Sequence, residues 1–172
     1  ARKAGLAVIL VTNAPRRQDR IIAQLGELGV PRTVYDRIVT SGDATRGMIA
    51  EGPRRIFHIG SDIHLTVYED LDVDLCEERE ADVVVCTGPF NDEVETPADY
   101  VEQLQRLRAR DLPMICANPD IIVERGARHI YCAGAIAREY QRMGGRVAMA
   151  GKPHRPIYDL ALREAAAILG HE

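Results

Sequence analysis

Two short stretches carry the side chains best suited to chemistry. In "AVILVTNAPRR", residues 7–17, an unbroken apolar run ends in Thr12 and Asn13, just before Pro15. In "AGKPH", residues 150–154, Lys152 stands between Gly151 and Pro153. Lysine is scarce here: of the 22 basic residues only Lys3 and Lys152 are lysine, and the rest are arginine. A hydroxyl, a carboxamide, a turn rich in free N–H groups and an ammonium together make a sensible cradle for phosphate. The hydroxyl and amides donate hydrogen bonds, the lysine supplies a point charge, and a helix expected to begin near Pro15 adds its positive end. Each group alone has a plainer reading. Thr12 is then a strand-end residue, Asn13 a turn former or N-cap, and Lys152 a surface lysine. Open α/β sheets bind ligands outside the carboxyl ends of their strands, and that is where Thr12 and Asn13 stand.

Strands and helices must alternate to deliver these groups. Residues 7–11 are continuously apolar, as a parallel strand buried on both faces requires. Pro15 suits the first turn of a helix, Ile21, Ile22, Leu25 and Leu28 recur at helical spacing, and Gly29 supplies a stop. Residues 37–40 form a second strand, followed by a short helix that Ser41 or Asp43 can cap. Further strands are expected at 54–59, ending in "GSD", at 81–86, ending in "TGPFND", and at 112–117, ending in "NPD". Between the last two, Thr96, Pro97 and Asp99 form a capped start for a helix over 97–110, with Tyr100, Val101, Leu104 and Leu107 as its apolar stripe. Residues 121–123 and 128–131 suit a hairpin. A helix over 135–143 stops at Gly144 and Gly145, a short strand occupies 146–149, and an amphipathic helix runs over 157–169. This order specifies a mainly parallel sheet with helical cover. Residues 1–5 read as the end of a helix, and no strand follows the last helix, so both ends are expected to look cut.

Composition narrows the classes. With 172 residues, 46% apolar and 28% charged, the chain is globular. A net charge of −4 leaves no basic excess to neutralise nucleic-acid phosphates, and six tyrosines, two phenylalanines and no tryptophan leave little for base stacking. The apolar runs are of strand length, far short of a membrane span, so no membrane association is expected. No secretory leader pattern opens the chain, and Cys76, Cys86, Cys116 and Cys132 form no C-x-x-C pair. A reduced, cytoplasmic protein is the expectation. The five histidines show no metal spacing; His58 and His129 read as core histidines and His154 as a cap for the last helix. "HIGSD" at 58–62 is a glycine turn without the pattern of a dinucleotide site.

The segments "LVTNAPR", "TSGDAT", "ANPD", "CAGAIAREYQRMGG" and "GKPHRPIYDLAL" resemble, in order and spacing, the haloacid dehalogenase superfamily. Within it the chain looks like the class IIA phosphatases, whose α/β cap is large. The resemblance implies an α/β fold: a Rossmann-like core, incomplete here, at residues 1–44 and 149–172, with a cap domain inserted at 45–148. It implies that Thr12 hydrogen-bonds the transferred phosphoryl group, that Asn13 lines the phosphate site, and that Lys152 neutralises charge on the phosphoryl group. Thr12 and Lys152 are thereby the catalytic positions, and electrostatic stabilisation is what phosphoryl transfer chiefly requires. It also implies magnesium, an aspartyl-phosphate intermediate and a small phosphorylated metabolite as substrate.

The family's D-x-D-G and G-D-x-x-x-x-D motifs, which carry the nucleophile and metal ligands, do not occur in the 172 residues. They are expected before and after this segment, and no metal ligand is expected within it. "DVD" at 72–74 lacks the glycine and follows no buried strand. By position, Phe90, Asn91, Asn118 and Asp120 are the candidate cap contacts to substrate, although "TGPFND" and "ANPD" read equally well as plain turns. The expected function is a phosphomonoester hydrolase; the alternative is a catalytically inert module of the same fold that binds a phosphorylated ligand or a protein. Homo-oligomerisation stays open.

Overall fold

The computed structural model describes residues 5–170. The expected reading of residues 1–5 as a helix end therefore lies, but for Gly5, outside the described residues. Among the described residues, nine strands and five α-helices follow in the order β1 (Ile9–Thr12), α1 (Gln18–Glu27), β2 (Arg37–Thr40), α2 (Ser41–Ala50), β3 (Arg55–Ile59), β4 (Asp74–Leu75), β5 (Val83–Cys86), α3 (Val101–Ala109), β6 (Met114–Cys116), β7 (Ile122–Arg125), β8 (Arg128–Tyr131), α4 (Ala133–Arg142), β9 (Val147–Met149) and α5 (Arg155–Leu169). A 3₁₀ segment covers Asp62–Tyr68, between β3 and β4. The mainly parallel α/β fold expected from the alternation is the fold observed.

Five strands form a parallel sheet in the order β4-β3-β5-β6-β9. One face packs under α3 and α4, where Val84, Leu104, Leu107, Ile136 and Tyr140 are fully buried. The other face packs under α2 and the 3₁₀ segment, through Ile49, Val67, Tyr68, Val83 and Val85. Burying an aliphatic side chain of this size stabilises the fold by about 1.5–3 kcal/mol. Strands covered on both faces read as continuous apolar runs, which is why "VVVC" does not alternate. A second, two-stranded parallel sheet pairs β1 with β2, Ile9 opposite Arg37 and Thr12 opposite Thr40. Ile21 of α1 packs on it with Tyr35 and Ile38, while Ile157 of α5 packs with Val39 and Ala44. β7 and β8 form the expected antiparallel hairpin.

Three local expectations are corrected. Helix α1 starts at Gln18, not near Pro15, because Arg17 is extended (φ −61°, ψ 150°). The intervening loop lies so close to the start of α2 that a Cβ on Gly42 would sit 2.4 Å from the Arg16 carbonyl oxygen. Helix α2 is capped by Thr40, whose Oγ1 accepts from the Asp43 amide at 2.9 Å and donates to the Asp43 carboxylate at 2.8 Å; neither Ser41 nor Asp43 is the N-cap. His129 lies on the exposed side of the β7–β8 hairpin, 73% accessible and 3.7 Å from Glu124, so it is no core histidine. The capping box at Thr96 forms as expected, with the Thr96 amide donating to Asp99 at 2.7 Å, but its first turn is 3₁₀ over Pro97–Tyr100.

Parallel strands share one carboxyl edge. Along it the loops after β3, β5, β6 and β9 present Gly60, Thr87, Asn118 and Lys152 in sheet order.

Candidate functional site

The loops after β1, β6 and β9 meet at the Asn13 side chain, which is 9% exposed. Its Oδ1 accepts from the Lys152 amide at 2.7 Å, and its Nδ2 donates to the Lys152 carbonyl at 3.1 Å and to Asp120 Oδ1 at 2.9 Å. The two Lys152 contacts mimic a strand pairing, so Asn13 splices the "GKP" turn onto the end of β1. Gly151 is required by this approach, since a Cβ there would lie 2.5 Å from Asn13 Oδ1 and 2.6 Å from Pro119 Cδ. The peptide bond between Lys152 and Pro153 is cis. The Lys152 side chain turns back over the strand end, and its ammonium donates to the Val11 carbonyl at 3.1 Å. Beside it, Thr12 Oγ1 accepts from the Ala14 amide at 3.3 Å. A hydroxyl and an ammonium with donors to spare thus share the carboxyl end of β1.

Of the positions singled out in the sequence, the structure brings Thr12, Asn13, Lys152 and Asp120 together. Asn118 is 8% exposed, and its Oδ1 accepts from the Asp120 amide at 3.0 Å, fixing the "NPD" turn. Phe90 and Asn91 stand apart from that cluster on the loop after β5. There the Phe90 amide donates to the Tyr100 hydroxyl at 2.8 Å and the Asn91 amide to Glu95 at 2.9 Å. Asn91 Oδ1 accepts from the Glu93 amide at 3.1 Å. A cleft of about 560 Å³ gathers Phe90, Asn91 and Asn118 with the loop after β1, at Ala14, Pro15 and Arg16. Its volume is that of a small-molecule site. Asp120 does not line the cleft; its carboxylate faces Asn13.

Sequence reasoning missed Arg16, His64 and Thr87, all of which line this cleft. Arg16 was signalled by its place directly after "TNAP", and Thr87 by opening the loop that carries Phe90. Nothing local signalled His64, whose Nδ1 lies 3.2 Å from Thr87 Oγ1. Burial, and then the neighbouring Arg16, pull the His64 imidazole down to about 4, so it is neutral near pH 7. His58, whose Nδ1 lies 2.7 Å from the Tyr68 hydroxyl, is likewise pulled down to about 4, first by burial and then by His64. Cys132, at the cleft wall, is pushed up to about 11 by burial, so it stays a thiol near pH 7.

Among the described residues no group of three or more histidines, cysteines and carboxylates could hold a metal ion. The Asp120 carboxylate accepts from Asn13, and the Asp43 carboxylate accepts from Thr40. The residues described therefore do not fit a magnesium site. No helix among the described residues is long and apolar enough to cross a membrane.

No curated protein matches the chain in sequence. A family model described as haloacid dehalogenase-like hydrolase matches residues 1–74. Among solved structures, a hydrolase of the haloacid dehalogenase-like family from Brucella suis 1330 is 62% identical, with a TM-score of 0.94 over 99% of this chain and 63% of its own. A p-nitrophenyl phosphatase from Archaeoglobus fulgidus is 25% identical, with a TM-score of 0.70 over 99% of this chain and 64% of its own. A thermostable NPPase double mutant from Geobacillus stearothermophilus, 20% identical with a TM-score of 0.73 over 99% of this chain and 67% of its own, shares the fold. The chain spans a little under two thirds of the length of the Brucella and Archaeoglobus proteins. The parallel α/β architecture and these matches agree: the chain is similar to haloacid dehalogenase-like hydrolases, in sequence over residues 1–74 and in structure over 99% of its length.

Proposed function

We propose that this chain is the phosphoryl-binding and substrate-recognising part of a phosphomonoester hydrolase. The observation that carries the reading is the Lys152 ammonium, 3.1 Å from the Val11 carbonyl at the strand end that also presents Thr12. In this reading Lys152 offsets the charge that develops on the phosphoryl oxygens, and the Thr12 hydroxyl orients them. Asn13 acts on the backbone: by holding both the amide and the carbonyl of Lys152 it keeps the turn, and so the ammonium, in register with β1. Residues 45–148 serve as a class IIA cap over a core formed by 1–44 and 149–172. The cleft at Phe90, Asn91 and Asn118 receives the organic part of a small phosphorylated metabolite.

Aspartyl-phosphate formation belongs to the proposed activity of the whole protein, but no D-x-D-G occurs in these 172 residues. The same holds for magnesium dependence, for which these residues supply no ligand set. The 172-residue chain by itself is therefore expected to bind phosphomonoesters without turning them over.

The test is Lys152→Ala in the full-length protein, assayed with p-nitrophenyl phosphate and magnesium. Loss of a preorganised charge of this kind lowers kcat by roughly a hundredfold or more. A variant within twofold of the parent would remove the role given to Lys152. Phosphate binding without turnover, in the full-length protein, would favour the inert phospho-ligand module instead.

A further inference from the structure

Charge bookkeeping in the cleft singles out one residue. Three formally charged side chains line it: Arg16, Asp92 and Arg125. Asp92 and Arg125 face each other in a two-pronged pair, Nη1 to Oδ1 at 3.2 Å and Nη2 to Oδ2 at 2.6 Å, and so cancel. His64 is neutral, as described above. Arg16 has no such counterpart. Its Nη2 donates to the carboxamide oxygen of Gln24 at 2.8 Å, and among the described residues it enters no ion pair. Its neighbour shows the contrast: Arg17 Nη1 lies 2.9 Å from Glu69 and 3.4 Å from Asp70. Arg16 is thus a half-buried cation whose charge is left for something else, in a cleft that adjoins the phosphoryl-binding strand end through Ala14 and Pro15.

A partly desolvated guanidinium is costly without an anion, and its planar fork fits an oxyanion in two-point contact. Phosphoryl charge is already answered at Lys152, which reaches from the loop after β9 to the Val11 carbonyl, at the end of the strand that leads into the Arg16 loop. From this geometry we infer that Arg16 is a specificity residue which selects phosphomonoesters carrying a second anionic group, a carboxylate or a second phosphoryl, on the organic part. The inference rests on the phosphoryl-binding reading above. The Phe90 ring, 62% exposed in the same lining, supplies apolar contact for the short chain between the two charges.

The experiment compares matched ligands of two, three and four carbons by isothermal titration with the full-length protein in magnesium-free buffer, where they bind without being hydrolysed. Each set contains the alkyl phosphate, the phosphorylated ω-hydroxy acid and the diol bisphosphate. At one chain length or more, a doubly anionic ligand is expected to bind at least tenfold more tightly than its alkyl phosphate. A gain in the acid arm identifies the carboxylate as partner, and a gain in the bisphosphate arm alone identifies a second phosphoryl group. Arg16→Gln should bring the ratio to within twofold. Arg16→Lys, which keeps the charge but loses the fork, should leave an intermediate ratio, and it decides the matter if the Gln variant does not fold. No gain at any length in the parent, or an undiminished gain in both variants, overturns the inference while alkyl phosphate binding stands. Failure of every ligand to bind, alkyl phosphates included, overturns the phosphoryl-binding reading and this inference with it.

Discussion

β5 and β1 are both four-residue apolar strands, "VVVC" and "ILVT", yet the fold treats them differently. Every residue of β5 is buried, between β3 and β6 in the sheet and between two helical layers. β1 pairs, among the described residues, with β2 alone, none of its residues is fully buried, and Leu10 is 36% exposed. A cavity lined by Leu10, Thr12, Ile21, Leu25 and Ile38 runs beside it. Apolar character marks a strand as one that needs neighbours, but position in the sheet decides how many it has. The exposed strand is also the one that bears the candidate chemistry, at Thr12 and Asn13.

The difference can be broken most sharply by truncating one side chain in each region. Leu104→Ala, under the five-stranded sheet, should cost about 2–5 kcal/mol in urea unfolding, whereas Leu10→Ala should cost less than about 1 kcal/mol. Equal losses would mean that β1 is as well covered as β5.

Acid sharpens the comparison, because His58 and His64 both belong to the five-stranded region. Their folded pKa values of about 4 lie below the ordinary 6.5, so the unfolded chain binds the protons first. Their effect on stability is absent above about pH 6.5, grows as pH falls toward 4, and levels off below it. His64→Asn should remove roughly 1–2 kcal/mol of the stability change between pH 7 and pH 4.5. An unchanged slope in urea midpoints against pH would show that His64 titrates normally. The smallest effect is expected at the seam between the regions. Arg17 and its partners Glu69 and Asp70 are solvent-accessible, so Arg17→Ala should cost at most about 1 kcal/mol, and less in high salt. A larger loss that persists in 1 M salt would mark Arg17 as a structural clasp.

Local signals made much of this molecule legible. Unbroken apolar runs announced β1, β5 and β6, and the 3.6-residue recurrence of Leu104 and Leu107 announced α3. Glycine and proline placed the turns. What stayed hidden was distance in sequence. No local pattern says that Asn13 bonds Asp120, which is 107 residues away, or that Lys152, 139 residues away, closes onto the same carboxamide. The start of α1 was misjudged because Pro15 carries a helix-start signal that the close approach of Gly42 overrides. His129 was misread for a related reason. "RHIY" has the composition of a buried strand, but its antiparallel partner β7 is largely exposed, so half the hairpin faces solvent. Arg16 escaped notice because the sequence shows a run of arginines, and only three-dimensional pairing reveals which one lacks a carboxylate.

The Asn13 splice also governs modular exchange. The two sheets look like separable building blocks, and a designer would cut between them at the chain crossings, near 50 and 150. A graft made that way would join an "NPD" turn from one parent to a "TN" strand end and a "GKP" turn from another. One carboxamide must satisfy both turns, and Gly151 leaves no slack for a shifted partner. The inheritable unit is therefore the three-loop knot, and working chimeras should be those that move Asn13, Asn118 to Asp120, and Gly151 to Pro153 as a set.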